Sequence, residues 1–257
     1  MPEFRTPTGT RDIMPPESAR WARLVALFAG LAERSGYGLI VSPMFEDIGV
    51  FERVGESTDI VRKEMYDFED KGGRHIALRP EGTASVVRAY IEHRPPTPWK
   101  TWYVGPNFRY ERPQAGRYRQ HHQLGAEAIG TDDPDVDVEI IALLERVYRA
   151  VGLRQYTLRL NSIGDAASRP GYLDALRTHF SAHAASLSEQ SKATLQVNPL
   201  RVLDSKREQD APVVASAPKT IDHLSSEAAE HFAQVQRGLR ALDIPFVLDP
   251  RLVRGLD

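Results

Sequence analysis

Apolar side chains recur three and four residues apart soon after the start of the chain. Beyond Pro15-Pro16, the stretch Ala19 to Arg34 places Trp21, Leu24, Val25, Phe28 and Leu31 at helical spacing, and Gly36 follows as a stop. The spacing predicts an amphipathic helix. Residues 37–45 read as a buried strand, with Pro43 confining it to an edge, an end or an irregular position. Met65 to Glu69 and His75 to Leu78 flank Lys71-Gly72-Gly73 and predict a β-hairpin, the two glycines supplying positive φ at the turn. A second, longer hairpin is predicted from Trp102 to Tyr110 and Arg119 to Gly130.

From Asp133 the signals agree with one another: Asp133 as N-cap, Pro134 at the first helical position, and Asp135 and Asp137 in the first turn. Val136, Ile140, Leu143, Leu144, Val147 and Val151 form the apolar stripe of that helix, and Gly152 ends it. Tyr156 to Leu160 reads as a strand. Helical segments rich in Ala, Ser, His and Gln then run to Leu195, a polar stretch with two prolines spans Asp204 to Lys219, and a last helix from Ser226 to Leu242 leads into a strand at Pro245 to Leu248. Strand-like sequence on both sides marks 163–243 as an inserted helical subdomain, with 1–162 as the core and 244–257 as the return to it.

Composition narrows the chemistry. The 257 residues contain no cysteine, which excludes disulfides, thiolate catalysis and cysteine-based zinc or iron–sulfur sites within this sequence. Net charge is −2, against a general electrostatic binder of nucleic acid but silent on a local basic site. Six of the 33 cations are lysine, so positive charge is carried mostly by guanidinium forks suited to carboxylate and phosphate. No apolar run reaches membrane-spanning length, and the first residues lack the basic and apolar regions of a leader, so the expected location is cytoplasmic, without a membrane partner.

Candidate chemistry gathers on the long hairpin. Along His121 to Glu127 side chains alternate, so Gln123, Gly125 and Glu127 share a face. The glycine between an amide and a carboxylate marks either a close approach of a ligand or a tolerated bulge. Arg109 and Glu111 share a face of the preceding strand, and a loop symmetric about Ala115-Gly116 would put Arg109 near Gln123. Arg109, Arg112, Arg117 and Arg119 lie within eleven residues, interleaved with Tyr110 and Tyr118. This is a pattern for phosphate and nucleotide, or a solvated basic loop. Glu81 and Thr83 stand at a strand-to-helix turn, where the plain alternative is a cap supplied by Thr83. His179 and His183 have the i, i+4 spacing of zinc pairs, but no third ligand or metalloprotease glutamate accompanies them, and they read as exposed helix residues. No metal site of the chain's own is expected. Alternation separates His121 from His122, so at most one faces the site, and Trp99 and Trp102 read as core or interface aromatics.

These residues resemble the histidyl-tRNA synthetases, members of the class II aminoacyl-tRNA synthetases. The resemblance is carried by Gly9-Thr10-Arg11-Asp12-Ile13, Phe51 to Asp70, Leu78 to Thr83, Phe108 to Gly125, Leu160 to Gly164, Asn198 to Lys206 and the terminal Arg251 to Asp257. It implies an α+β fold, an antiparallel class II sheet flanked by helices, with motif 1 around Pro43 at a homodimer interface and motif 2 over 102–130. It implies ATP, L-histidine and tRNA-His as partners. Arg109 looks like the arginine on the ATP α-phosphate and the amino-acid carboxylate, with Glu111 and Arg117 on the nucleotide side. Glu81, Thr83 and Gln123 match residues around the α-amino group, Glu127 the acceptor of the imidazole, Arg112 and Gln114 the loop meeting the tRNA acceptor end, and Arg254 the distinctive catalytic arginine.

The implied chemistry is coherent. A carboxylate attacking the α-phosphorus of ATP is anion meeting anion, and Arg109 and Arg254 on either side would stabilise the transition-state charge. Mg²⁺ is expected on the β- and γ-phosphates. The sequence stops before the family's second histidine motif, motif 3 and anticodon-binding domain, so the expectation is an amino-terminal portion of a histidine-tRNA ligase, inactive alone. The alternative is the paralogue that serves as regulatory subunit of ATP phosphoribosyltransferase, which has no need of the tRNA-facing loop retained here.

Overall fold

The computed structural model describes residues 4–55, 64–112, 114 and 116–253. Two compact units divide the chain: one takes residues up to Asp132 together with Glu139–Leu153, the other Asp133–Val138 together with the residues from Arg154 onward.

In the first unit, helix α1 (Glu17–Arg34) ends where Gly36 turns at φ +81°, and strand β1 (Gly38–Leu39) leaves it. The predicted buried strand over 37–45 is not formed as such. The chain breaks after β1 and re-forms as β2 (Phe45–Asp47), and Leu39, Val41, Met44 and Phe45 are all at least half exposed. Pro43, lacking an N–H for a ladder, falls in the break. Helix α2 (Gly49–Gly55) follows, then the hairpin β3 (Tyr66–Glu69) and β4 (His75–Leu78). Gly73 has φ +74°, whereas Gly72 is not left-handed; Asp70 shapes the rest of the turn by accepting from the N–H groups of Gly72 and Arg74 at 2.8 and 3.0 Å. Strand order is β2-β4-β3, antiparallel throughout.

Helix α3 (Thr83–His93) leads to the long antiparallel ribbon of β5 (Trp99–Phe108) and β6 (Gln120–Ile129), on whose edge β1 lies parallel to β5. The middle of the ribbon's even-numbered face is apolar. Trp102, Val104, Leu124, Ala126 and Ala128 pack with Phe28 and Ala32 of α1 and with Leu143 and Val147 of α4 (Pro134–Ala150). Trp102 meets Phe28 edge-on at 5.9 Å, a core contact, and Trp99 stacks on Tyr90. In α4, Asp133 caps as predicted, donating no proton but accepting from the Asp135 N–H at 2.9 Å, and Gly152 carries the positive φ at the end. Leu144, together with Val151 beyond the helix end, does not join the stripe; both are exposed.

The second unit is mainly helical. Its helices are α5 (Arg169–Ala182), α6 (Glu189–Val197), α7 (Leu200–Leu203), α8 (Ala211–Ala215) and α9 (Ser226–Ala241). Tyr172, Leu176, Phe180, Leu187 and Val202 form its core. The polar stretch after Asp204 contains α8 because buried Asp210 ties it down, accepting from the Ser188 N–H and from the hydroxyls of Ser188, Ser191 and Ser205 at 2.6–3.0 Å. The strand expected over 156–160 shrinks to β7 (Arg159–Leu160), parallel to β8 (Val247–Leu248). His179 is half-buried rather than exposed: its Nε2 lies 2.9 Å from the Val213 carbonyl oxygen, while His183 Nδ1 lies 2.8 Å from the His179 carbonyl oxygen. Among the described residues no helix is long and apolar enough to cross a membrane.

Candidate active site

The odd-numbered face of the ribbon is polar, and pairing across it is set by the β5–β6 register: Thr101 with Glu127, Tyr103 with Gly125, Gly105 with Gln123, Asn107 with His121. Gln123, Gly125 and Glu127 therefore share a face as alternation requires, and His121 joins them while His122 turns away to pack against Trp21. The expected symmetry of the loop about Ala115-Gly116 is not observed. Continuing the register beyond the ribbon brings Arg109 opposite Arg119, whose carbonyl accepts the Arg109 N–H at 2.8 Å. The side chain that meets Gln123 is Asn107, donating from Nδ2 to Gln123 Oε1 at 2.6 Å. Regular strand ends at Phe108, and the Glu111 N–H folds back onto the Arg109 carbonyl, so alternation does not carry Arg109 and Glu111 onto one face.

Glu81, not Thr83, caps α3: its carboxylate accepts from the N–H groups of Thr83 and Ala84 at 2.6 and 2.7 Å. A carboxylate at a helix N-terminus is also favoured by the helix dipole. Thr83 is thereby freed to donate its hydroxyl to Glu127 Oε1 at 2.7 Å. Burial pushes the Glu127 carboxyl above its ordinary range; the Thr83 and Tyr103 hydroxyls pull it back in part, and nearby Glu81 pushes it up again. His121 is pushed down by burial and by the Arg109 charge, which keeps its imidazole neutral over a wider pH range.

Gly125 does mark a close approach, but of a ring belonging to the chain. A Cβ there would stand 2.2 Å from Cζ of Tyr103, and a Cβ on Gly82 would stand 2.3 Å from Cε2 of the same ring. Two glycines thus form a slot for Tyr103, whose hydroxyl lies 3.4 Å from Glu127 Oε1. Burial and the neighbouring Glu127 charge push the phenol's pKa up, so Tyr103 stays a neutral donor. Sequence reasoning missed Tyr103 and Asn107. Both stand at odd positions of β5, on the face that Gln123, Gly125 and Glu127 share across the register.

Arg109 donates from Nε to the Pro80 carbonyl at 2.8 Å, and no hydrogen bond from its terminal nitrogens is found among the described residues. Beyond it, Glu111 and Arg117 pair at 3.3 Å, and Gln114 and Arg117 exchange backbone hydrogen bonds across the loop tip. Arg119 stacks on Tyr110 at 3.8 Å and donates to the Glu111 carbonyl. The amino-terminal segment braces this loop through the Gly9 carbonyl, which accepts from the N–H groups of Arg119 and Gln120. Arg112 and Gln114 are exposed. Arg254, with Gly255 to Asp257, lies outside the described residues, as do Lys63, Pro113 and Ala115. No three His, Asp or Glu side chains converge as a metal site among the described residues.

Residues 9–257 match the family model described as histidyl-tRNA synthetase. The histidine–tRNA ligase of Geobacillus thermodenitrificans is 49% identical over 259 residues, covering 99% of this chain and 61% of that protein. The histidine–tRNA ligase of Listeria monocytogenes is 48% identical with the same coverage. Among solved structures, apo histidyl-tRNA synthetase of S. aureus superimposes with a TM-score of 0.79 at 38% identity, over 99% of this chain and 59% of that one. A Bacillus halodurans structure titled as an ATP phosphoribosyltransferase regulatory subunit/histidyl-tRNA synthetase shares the fold, with a TM-score of 0.67 at 19% identity. The chain spans about 61% of the length of the curated relatives it matches. From the motifs on its polar ribbon face to the match over nearly all its residues, this chain belongs to the histidyl-tRNA synthetase family.

Proposed function

We propose that the chain supplies the histidine- and ATP-binding half of a histidine–tRNA ligase, which activates L-histidine with ATP to histidyl-adenylate and transfers it to tRNA-His. The observation that carries this reading is the gathering of Glu81, Thr83, Gln123 and Glu127 about one polar strip, with Arg109 at its open end. Glu127 is a partly buried acceptor suited to an imidazole N–H. A site of this kind discriminates because the wrong side chain leaves its polar groups unpaired, by about 10⁴–10⁵. Glu81 and Gln123 provide oxygens for an α-ammonium group.

The terminal nitrogens of Arg109, which bond no side chain among the described residues, suit a carboxylate and an α-phosphate at once, holding two anions that otherwise repel. Glu111 and Arg117, paired with each other, are assigned to the nucleotide side, and exposed Arg112 and Gln114 suit contact with a tRNA acceptor end. Arg254 is proposed as the second catalytic arginine, stabilising the charge that develops on the reacting groups. Mg²⁺ arrives with the phosphates of ATP, for which one or two carboxylates and water suffice as ligands. The core over 1–162 and 244–257, the inserted subdomain over 163–243 and a homodimer through the Pro43 region belong to the same proposal. The exposed side chains of Leu39, Val41, Met44 and Phe45 are what such an interface would cover.

The test is histidine-dependent ATP–pyrophosphate exchange, run on this chain and on the chain extended at its carboxyl end by the matching remainder of a curated relative. Exchange by the extended protein, abolished by R109A, is expected. A folded extended protein that binds histidine but exchanges no pyrophosphate overturns the ligase reading in favour of a histidine-sensing regulatory subunit.

A further inference from the structure

Arg79 is a buried cation that the site's chemistry does not use. It is 5% exposed, at the bend between β4 and α3, and no carboxylate among the described residues bonds to it. Glu46, the acid that acts on it electrostatically, gives both oxygens to Arg88 instead, at 2.7 and 3.1 Å. Its side-chain partners among the described residues are neutral oxygens on two other segments. Nε donates to the Pro106 carbonyl at 2.8 Å. Nη1 faces the Ser42 hydroxyl at 3.0 Å and the carbonyls of Ser42 and Pro43 at 3.3 and 3.4 Å. The far end of the fork lies close against β5, where a Cβ at Gly105 would stand 2.0 Å from Nη2.

The backbone crosses at the same point. The Arg79 N–H donates to the Met44 carbonyl, and the Arg79 carbonyl accepts from the Phe108 N–H, both at 2.9 Å. One residue on, Pro80 offers its carbonyl to Arg109 Nε. Two residues on stands Glu81, the cap of α3. Burying a cation without a counter-ion is costly, and burial does lower the guanidinium's affinity for its proton. An apolar side chain of similar length would fill the space without that cost. What an apolar group lacks is a planar set of donors that can bond segments on two sides together, and lysine, a point charge, lacks the same geometry.

We propose that Arg79 is the positioning residue of this site. Its guanidinium, bonded to Ser42, Pro43 and Pro106, holds the Arg79-Pro80-Glu81 bend against β5 and so fixes Arg109 and the Glu81-capped start of α3 relative to one another. The functional part of this inference rests on the reading of Arg109 and Glu81 as substrate-binding groups; the geometric part does not.

The experiment separates the two. Arginine side-chain Nε–H signals of the ¹⁵N-labelled chain are recorded, with that of Arg109 assigned through R109K, and compared among wild type, R79M, R79K and G105A. The Arg109 signal, held by the Pro80 carbonyl, is expected to move and lose its protection from exchange in R79M. The same change is expected in G105A, which displaces the guanidinium without removing it, and R79K is not expected to restore it. The double variant R79M/G105A should be no worse than R79M. If R79M fails to fold, G105A and R79K carry the comparison. An Arg109 signal unmoved in the folded variants overturns the proposal. In whichever form is active in pyrophosphate exchange, R79M should lose about 10²-fold in kcat, with much smaller changes in KM, as misplacement by about an ångström does. Unchanged kcat overturns the functional part, whereas absence of exchange in every form, wild type included, defeats the ligase reading and leaves the Arg109 signal to decide the geometry.

Discussion

The slot that holds Tyr103 allows a quantitative test. In G125A the new methyl carbon stands 2.2 Å from Cζ and 2.4 Å from the hydroxyl oxygen of Tyr103. Carbon atoms at optimal separation are about 3.5–4.0 Å apart, so the ring must retreat by more than about 1 Å. It has nowhere to go: the ring is 4% exposed, and its other edge lies on Gly82, where no Cβ fits either. Overpacking of this kind costs about 1–3 kcal/mol. Displacing the ring also takes the phenol away from Glu127. The assay is urea unfolding followed by tryptophan fluorescence, because Trp21, Trp99 and Trp102, the chain's three tryptophans, all belong to the first unit and report on it alone. The control is the same substitution in a Y103A background, where the methyl group meets empty space and its cost should fall below about 0.5 kcal/mol. Stability of G125A within about 0.5 kcal/mol of wild type, or an equal penalty in both backgrounds, refutes the slot.

Three other substitutions probe further features. Because the Glu127 carboxyl is raised in the folded chain, the folded state holds its proton more tightly than the unfolded chain does. Its contribution to stability is complete below the ordinary glutamate value and lost as pH rises through the raised one. E127Q should therefore gain on wild type in unfolding experiments above that window, match it near pH 4, and lose histidine binding. E81A removes the acceptor of two helix N–H groups and should lower stability by about 0.5–2 kcal/mol in the same fluorescence assay. In the second unit the sign is opposite. Burial would raise the Asp210 carboxyl, but its hydrogen bonds from three serines prevail and hold it at about 2. Its stabilising contribution is thus present at neutral pH and lost as pH falls from the ordinary aspartate value toward 2. D210A should cost about 1–3 kcal/mol at pH 7 by circular dichroism, because it leaves buried hydroxyls unpaired, and less at pH 2.

Local signals located the elements with strong periodicity or strong caps. The stripe ending at Leu31, the Asp133-Pro134 start, the hairpin around Gly73 and the long ribbon each depend on interactions within a few residues or on strict alternation. The strand expected over 37–45 failed for a related reason. An apolar run carries no mark of whether its cover comes from its own unit, and Pro43 breaks the ladder it would have joined. Within the candidate site, alternation correctly put Gln123, Gly125 and Glu127 together, but it could not place Arg109. Register across a hairpin depends on how the loop folds, and here the Gly9 carbonyl, more than a hundred residues away, braces one side of it.

The sequence alone determined the residue types that can meet phosphate, carboxylate and imidazole, their order along the chain, and the face each takes within a regular strand, because backbone geometry repeats locally. Tertiary structure alone decided that Glu81 caps the helix and Thr83 turns to Glu127, that Tyr103 fills the gap at Gly125, and that Arg79 joins three segments. Each of those outcomes is a competition among several partners for one donor, acceptor or volume. Such a competition is settled only when distant segments are brought within hydrogen-bonding and van der Waals range.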